Sequence, residues 1–109
     1  MKVSELKGAE LDYWVAMAAG LPVEILNPGK AQIVREPKLG GTWYKFSTDW
    51  AQSGPIIEQE GIELDRYIPE EDATPEWEAW CRHGHQRGKT PLLAAMRAYV
   101  ASRFGEDVN

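Results

Sequence analysis

The sequence predicts one small α+β domain over residues 1–109, with a short, mainly antiparallel sheet packed with about three helices. Three observations carry that prediction. An amphipathic helix pattern opens the chain, a strongly apolar helical segment with its own start and stop signals closes it, and short β-prone runs separated by turn residues lie between them. With 43% hydrophobic and 27% charged residues in a length of 109, the composition suits a single buried core and not a disordered chain.

The first helix is expected over residues 8–19, where Leu11, Trp14, Val15 and Ala18 recur at helical spacing. Gly20 supplies its C′ residue and Pro22 forbids continuation. Tyr13 and Met17, four apart, flank that stripe and are placed to touch a neighbouring element. Residues 23–27 and 32–35 are short β-prone runs around the turn dipeptide Pro28-Gly29 and read as a hairpin. A loop at 38–41 leads to residues 42–46, the strongest strand candidate, with Trp43 and Lys45 facing one side and Tyr44 and Phe46 the other.

Ser47, Thr48 and Asp49 then supply capping oxygens, and Gly54-Pro55 gives a second helix start with Pro55 suited to N1. Residues 56–60 make one or two turns before Gly61 ends them, and 65–75 is an acidic, proline-containing connection expected to be an exposed loop. Residues 77–82 alternate as a strand, Trp77, Ala79 and Cys81 against Glu78, Trp80 and Arg82, although Thr74-Pro75-Glu76 also resembles a helix start. The last helix is the clearest element, with Thr90 as N-cap, Pro91 at N1 and Gly105 as stop. Leu92, Leu93, Met96, Val100 and Phe104 form one face, and Ala94, Ala95, Ala98 and Ala101 leave the other small, so this helix should be central. The predicted order is α-β-β-β-α-β-α.

Composition excludes several functions. Twelve Lys+Arg against seventeen Asp+Glu give a net charge of −5, the wrong sign for a duplex nucleic-acid binder. No apolar stretch approaches the roughly 20 residues of a membrane span, and the N-terminus lacks the apolar region of a secretory signal. The single Cys81 excludes an intramolecular disulfide and agrees with a reducing cytoplasm.

Chemically the most suggestive stretch is the basic segment 82–90, which runs into the N-terminus of the last helix, where unpaired N–H groups and the helix dipole favour an anion. Arg87 and Lys89 add charge and Thr90 a hydroxyl; the plainer alternative is a solvated turn before a capped helix. The segment nearly spells a phosphate-binding P-loop, but the first glycine would have to sit at His83, and Gly84 is one residue too close. On a strand Cys81, His83 and His85 would share one face and could supply three zinc ligands, with a buried thiol and two surface histidines as the alternative. Asp49 and Glu58 are the best carboxylate pair for acid–base work, yet both also suit helix-end roles. Five tryptophans include Trp43, Trp50, Trp77 and Trp80, which are either core or stacking surfaces for a planar ligand.

The segments 46–60 and 88–102, together with Leu11-Asp12-Tyr13-Trp14-Val15-Ala16 followed by Gly20, resemble the phage P22 NinX-like family of small phage and prophage proteins. The family pattern has Gly-Gly-Pro where this chain has Ser53-Gly54-Pro55. The resemblance brings no established activity. It implies a phage accessory protein acting in the cytoplasm of an infected bacterium, a class that includes counter-defence proteins. The matching motifs carry polar residues beyond what a fold requires: Thr48, Asp49, Gln52, Glu58 and Arg97. Arg97 borders the apolar face of its helix, where it could meet a buried carboxylate or a ligand phosphate.

The leading expectation is a non-enzymatic binder that sequesters a small anionic, nucleotide-like ligand at Trp43, Thr48, Asp49, Trp50, Arg87, Lys89, Thr90 and Arg97. It needs no cofactor or metal. The alternatives are an acidic inhibitor of a host or phage enzyme, acting through residues 58–71, and a small metal enzyme using Cys81, His83 and His85. A homo-oligomer formed through the alanine side of the last helix is a further expectation.

Overall fold

The computed structural model describes residues 1–27, 33–37, 43–71 and 74–109. Helix α1 (Gly8–Ala18) buries Leu11, Val15 and Ala16 together with the carboxylate of Asp12. Gly20, at φ 71°, turns the chain out of it. Strands β1 (Glu24–Leu26) and β2 (Ile33–Arg35) pair antiparallel with Ile25 opposite Val34, so the expected hairpin forms. Its Pro28-Gly29 turn and the loop at 38–41 lie outside the described residues.

Residues 42–46 were the strongest strand candidate, yet within 43–46 no strand forms, and Thr42 lies outside the described residues. Trp43 makes one isolated bridge to Arg35, and the Tyr44 N–H donates to the Val34 carbonyl. The alternation itself holds, because Tyr44 and Phe46 are buried while Trp43 and Lys45 are exposed. The chain instead turns, the Lys45 carbonyl accepting from Thr48 and Asp49 N–H, and Gln52 takes backbone groups on the side away from β2. Its amide oxygen accepts from Lys45 N–H at 2.7 Å, and its amide nitrogen donates to the Trp43 carbonyl at 2.8 Å.

Helix α2 (Trp50–Glu60) begins five residues before the expected start at Pro55. Asp49 caps it by accepting from Ala51 N–H at 2.9 Å, and Gly61, at φ 63°, ends it. Pro55 therefore sits in the helix interior, where it removes one hydrogen bond. Gly54 before it has no Cβ to clash with the proline ring, which eases the helical conformation that a residue preceding proline otherwise resists. Ser53 is fully buried, and its hydroxyl donates to the Phe46 carbonyl. At the end of α2, Glu60 lies 3.3 Å from Arg82 and 3.6 Å from Arg103.

Three strands follow where one was expected: β3 (Glu63–Tyr67), β4 (Glu76–Cys81) and β5 (Gly84–Gly88), antiparallel in the order β3-β4-β5. The start of the expected loop at 65–75 is thus part of β3, and the basic segment read as a turn is mostly β5. A two-residue turn, Arg82-His83, joins β4 to β5, with Arg82 at φ 54°. Helix α3 (Pro91–Phe104) is central, as expected, and packs on one face of this sheet. Ala94, Ala95, Ala98 and Ala101 are all buried, so the alanine side expected to face a second copy packs within the molecule instead. Phe104, expected on the buried face, is 42% exposed and meets the edge of Trp14.

The helix approaches the sheet closely because β5 presents glycines to it. A Cβ on Gly84 would stand 2.4 Å from the Ala98 carbonyl oxygen, and one on Gly88 2.8 Å from the Ala94 nitrogen. Those glycines serve close backbone approach, not a loop. A 3-10 turn at Val3–Glu5 lies beside β5, and the chain ends meet through Val3 N–H to the Glu106 carbonyl at 2.9 Å. Among the described residues no helix is long and apolar enough to cross a membrane.

Candidate functional site

β5 is an edge strand, and its free side faces the segment that leads from the 3-10 turn into α1. Arg97, on α3, bridges the two. Its Nε donates to the Leu6 carbonyl and its Nη1 to the Arg87 carbonyl, each at 2.8 Å. Burial lowers the pKa of this guanidinium, and the nearby charge of Glu76 acts in the opposite direction. Among the described residues no carboxylate lies within ion-pairing distance of Arg97. A half-buried guanidinium held by two carbonyls keeps N–H donors for a further acceptor.

Beside it runs a groove of about 710 Å³ lined by Ser4, Lys7, Glu76, His85, Gln86, Arg87, Gly88, Lys89, Leu93 and Arg97. Lys7, Arg87, Lys89 and Arg97 there face the single carboxylate of Glu76. In a chain of net charge −5 this is a local reversal of sign. The four cations are not equivalent. The Arg87 guanidinium lies 4.0 Å over the Tyr67 ring and 3.7 Å from Glu78, so its charge is partly matched. Glu78 also holds His85 Nε2 at 3.0 Å, and the His85 ring stacks on Trp80 at 5.0 Å.

The expected site residues divide between places. Arg87, Lys89 and Arg97 share the groove. Thr48, Trp50 and Thr90 instead line a separate recess of about 230 Å³ with Ser47, Pro91 and Leu92. Asp49 is engaged as the α2 cap, and Trp43, 49% exposed, lines neither. The anion attraction expected at the start of α3 is largely used internally. Pro91 has no N–H, the Thr90 hydroxyl accepts from Leu93 N–H at 3.1 Å, and the Thr90 carbonyl accepts from Ala94 N–H. Only the Leu92 N–H of that first turn is left, so the positive character of the groove comes from side chains.

Asp49 and Glu58 stand nine residues apart along α2, roughly 13 Å of helix axis, too far for a carboxylate pair. Cys81, His83 and His85 do not share a face. The chain reverses at Arg82-His83, so Cys81 is buried against Ser102 on the α3 side while His85 pairs with Trp80 on the other. Among the described residues no group of three or more His, Cys, Asp or Glu is arranged to hold a metal ion.

The sequence reasoning missed Ser4, Lys7, Glu76 and Gln86. A signal for Gln86 was present, since in Gly84-His85-Gln86-Arg87-Gly88 the residues Gly84, Gln86 and Gly88 alternate with the larger His85 and Arg87 at strand period. Lys7 carried none, because what brings it to the groove is the neighbouring Leu6 carbonyl, held by Arg97 across 91 residues.

A comparison with curated proteins finds no match. The family model described as Bacteriophage P22, NinX, matches residues 2–103, nearly the whole chain and every element that builds the groove, and the chain belongs to that family of phage proteins.

Proposed function

We propose that the groove beside Arg97 binds a small anion of the nucleotide class, and that this phage protein acts by sequestering it without chemistry in the host cytoplasm. The observation that carries the proposal is the half-buried Arg97 guanidinium, fixed by two carbonyls and unmatched by a carboxylate among the described residues, with Lys7 and Lys89 lining the same groove. A guanidinium so held is oriented for a phosphate oxygen before the ligand arrives, which lowers the ordering cost of binding. The volume of about 710 Å³ lies within the span of small-molecule sites. Removing a nucleotide-derived signal in this way would serve counter-defence.

The test is a thermal-shift panel of nucleoside phosphates, cyclic dinucleotides and cyclic ADP-ribose isomers. A ligand at 100 times its Kd adds about 2.7 kcal/mol. For 109 residues that is roughly 12 °C. One class should raise the midpoint, and the double variant Lys7→Ala, Lys89→Ala should lose the rise. A flat panel, or a shift unchanged in the double variant, refutes the proposal.

A second function is favoured by the sheet face opposite α3, where register puts Asp65 of β3 opposite Glu78 of β4, with Glu63 and Glu76 on the same face. That acidic face suits a basic enzyme as partner. Capture of one such enzyme, abolished by Glu63→Lys with Asp65→Lys, would support it, and capture unaffected by that reversal would end it.

A further inference from the structure

Three unfavourable features meet at one corner of the molecule, where the ends of α2 and α3 lie beside the turn between β4 and β5. Glu60 closes α2, at the negative end of the helix dipole, and its side chain is only 7% exposed. Its Oε1 lies 3.3 Å from Arg82 Nε and its Oε2 3.6 Å from Arg103 Nη2, yet among the described residues Oε1 makes no hydrogen bond. Arg82 opens its two-residue turn at φ 54°, where glycine would fit without strain. A buried carboxylate so loosely held is a poor way to stabilise a fold, and an apolar residue of similar size would serve at least as well. The arrangement has one other effect. It holds two guanidiniums, from the turn and from α3, side by side against their mutual repulsion, with side chains 63% and 43% exposed.

Apolar surface adjoins this fork. Phe104 follows Arg103, is 42% exposed and lies edge-on to Trp14 at 5.6 Å, and Met17, one turn along α1, is also 42% exposed. Exposed arginine beside aromatic and methionine side chains is the composition of a protein-binding surface. A nucleic-acid surface would be basic over a wider area than a chain of net charge −5 provides. We infer that this corner docks an acidic segment of a partner protein, whose carboxylates pair with Arg82 and Arg103 while an apolar residue beside them covers Phe104 and Met17. Glu60 is a positioning residue, which sets the spacing of the two guanidiniums from behind. The surface shares no residue with the anion groove and goes beyond the function proposed for it.

The probe is a synthetic glutamate-rich peptide containing one phenylalanine, with its glutamine counterpart as control. In ¹⁵N-correlated titrations of wild type, the acidic peptide should move the Arg82 and Arg103 Nε–H signals saturably, less so as salt is raised, and the control should not. Arg82→Gly keeps the turn, because glycine suits its positive φ, and should weaken peptide binding about tenfold, as should Arg103→Gln. Glu60→Gln removes a negative charge, which by charge alone would strengthen binding of an acidic peptide; the positioning role predicts a loss of about threefold instead. Three results would overturn the inference: no saturable shift in wild type, binding undiminished in both arginine variants, or tighter binding by Glu60→Gln. Equal shifts of the two Nε–H signals with pyrophosphate would make the corner a phosphate site, and shifts that grow with protein concentration alone would give it to a second copy; either contradicts an acidic protein partner.

Discussion

Replacing Gly84 with alanine tests the contact on which the groove is built. The added Cβ would stand 2.4 Å from the Ala98 carbonyl oxygen and 2.9 Å from the Ser102 nitrogen. Both are backbone atoms of α3, so no side-chain rotation relieves the clash. Restoring an ordinary contact of 3.4 Å requires the helix to withdraw by about 1 Å (3.4 − 2.4) along its densest contact with the sheet. Overpacking typically costs about 1–3 kcal/mol, and a clash confined to backbone belongs at the top of that range, about 3 kcal/mol. At about 2.1 cal/mol/K per residue this lowers the melting temperature by roughly 13 °C. Gly54→Ala is the comparison: beyond its chain neighbours nothing lies within 4 Å of its Cβ position. There the helix-propensity gain of about 1 kcal/mol and the local clash with the Pro55 ring oppose each other, so stability should change by less than about 1 kcal/mol. Calorimetric melting of both variants reads the difference. A Gly84→Ala midpoint within 2 °C of wild type would show that β5 and α3 are not in close backbone contact.

Other predictions concern single residues. Asp12 is buried and accepts from Ser47 N–H at 2.8 Å, so Asp12→Ala, which leaves that donor unpartnered, should cost about 1–3 kcal/mol in urea unfolding. Burial raises the Asp12 pKa above its ordinary 3.8, with the Ser47 hydrogen bonds opposing, so the folded protein holds this proton more tightly than the unfolded chain. The stability due to protonated Asp12 is complete below 3.8 and is lost as pH rises through the folded value, and wild type should lose ground to Asp12→Asn between pH 4 and neutrality. A difference that stays constant, or that moves in favour of wild type as pH rises, contradicts this. Asp49→Ala and Thr90→Ala each remove a helix cap and should each cost about 1 kcal/mol in the same assay, additively because they act on different helices. Arg97→Met should lower stability by about 1–2 kcal/mol, since the Leu6 and Arg87 carbonyls lose their donor, and should abolish phosphate binding as well; binding retained in Arg97→Met would remove it from the site.

What was legible in the sequence was local. The start and end of α3 are written in Thr90, Pro91 and Gly105, and the α1 stripe in Leu11, Trp14 and Val15, because capping and helical periodicity act within a few residues. The errors arose where a distant group decided the outcome. Gly84 and Gly88 suggested a loop, but they are strand residues whose missing side chains admit α3. Pro55 suggested a helix start, but Asp49 had already capped the helix and Gly54 made a proline tolerable inside it. Trp43 to Phe46 had strand alternation, but the chain turns at Lys45, and Gln52 holds the Trp43 and Lys45 backbone groups that face away from β2. β3 has few apolar residues to announce it, being an edge strand with three of its five residues exposed. The same division runs through the site. Arg87 and Lys89 are neighbours in the chain and could be grouped on sight, whereas Lys7 and Gln86 join them only once Arg97 ties the start of the chain to β5.

In the proposed function a small phosphate-bearing anion sits between Lys7, Lys89 and Arg97. An ¹⁵N-correlated NMR titration with pyrophosphate, following the backbone amides and the Arg97 Nε–H signal, tests it most directly. Saturable shifts are expected at Lys7, at residues 86–89 and at Arg97 Nε–H, weakening as salt is raised. Shifts confined to the recess of Thr48, Trp50 and Thr90, or no saturable shift at all, would contradict it.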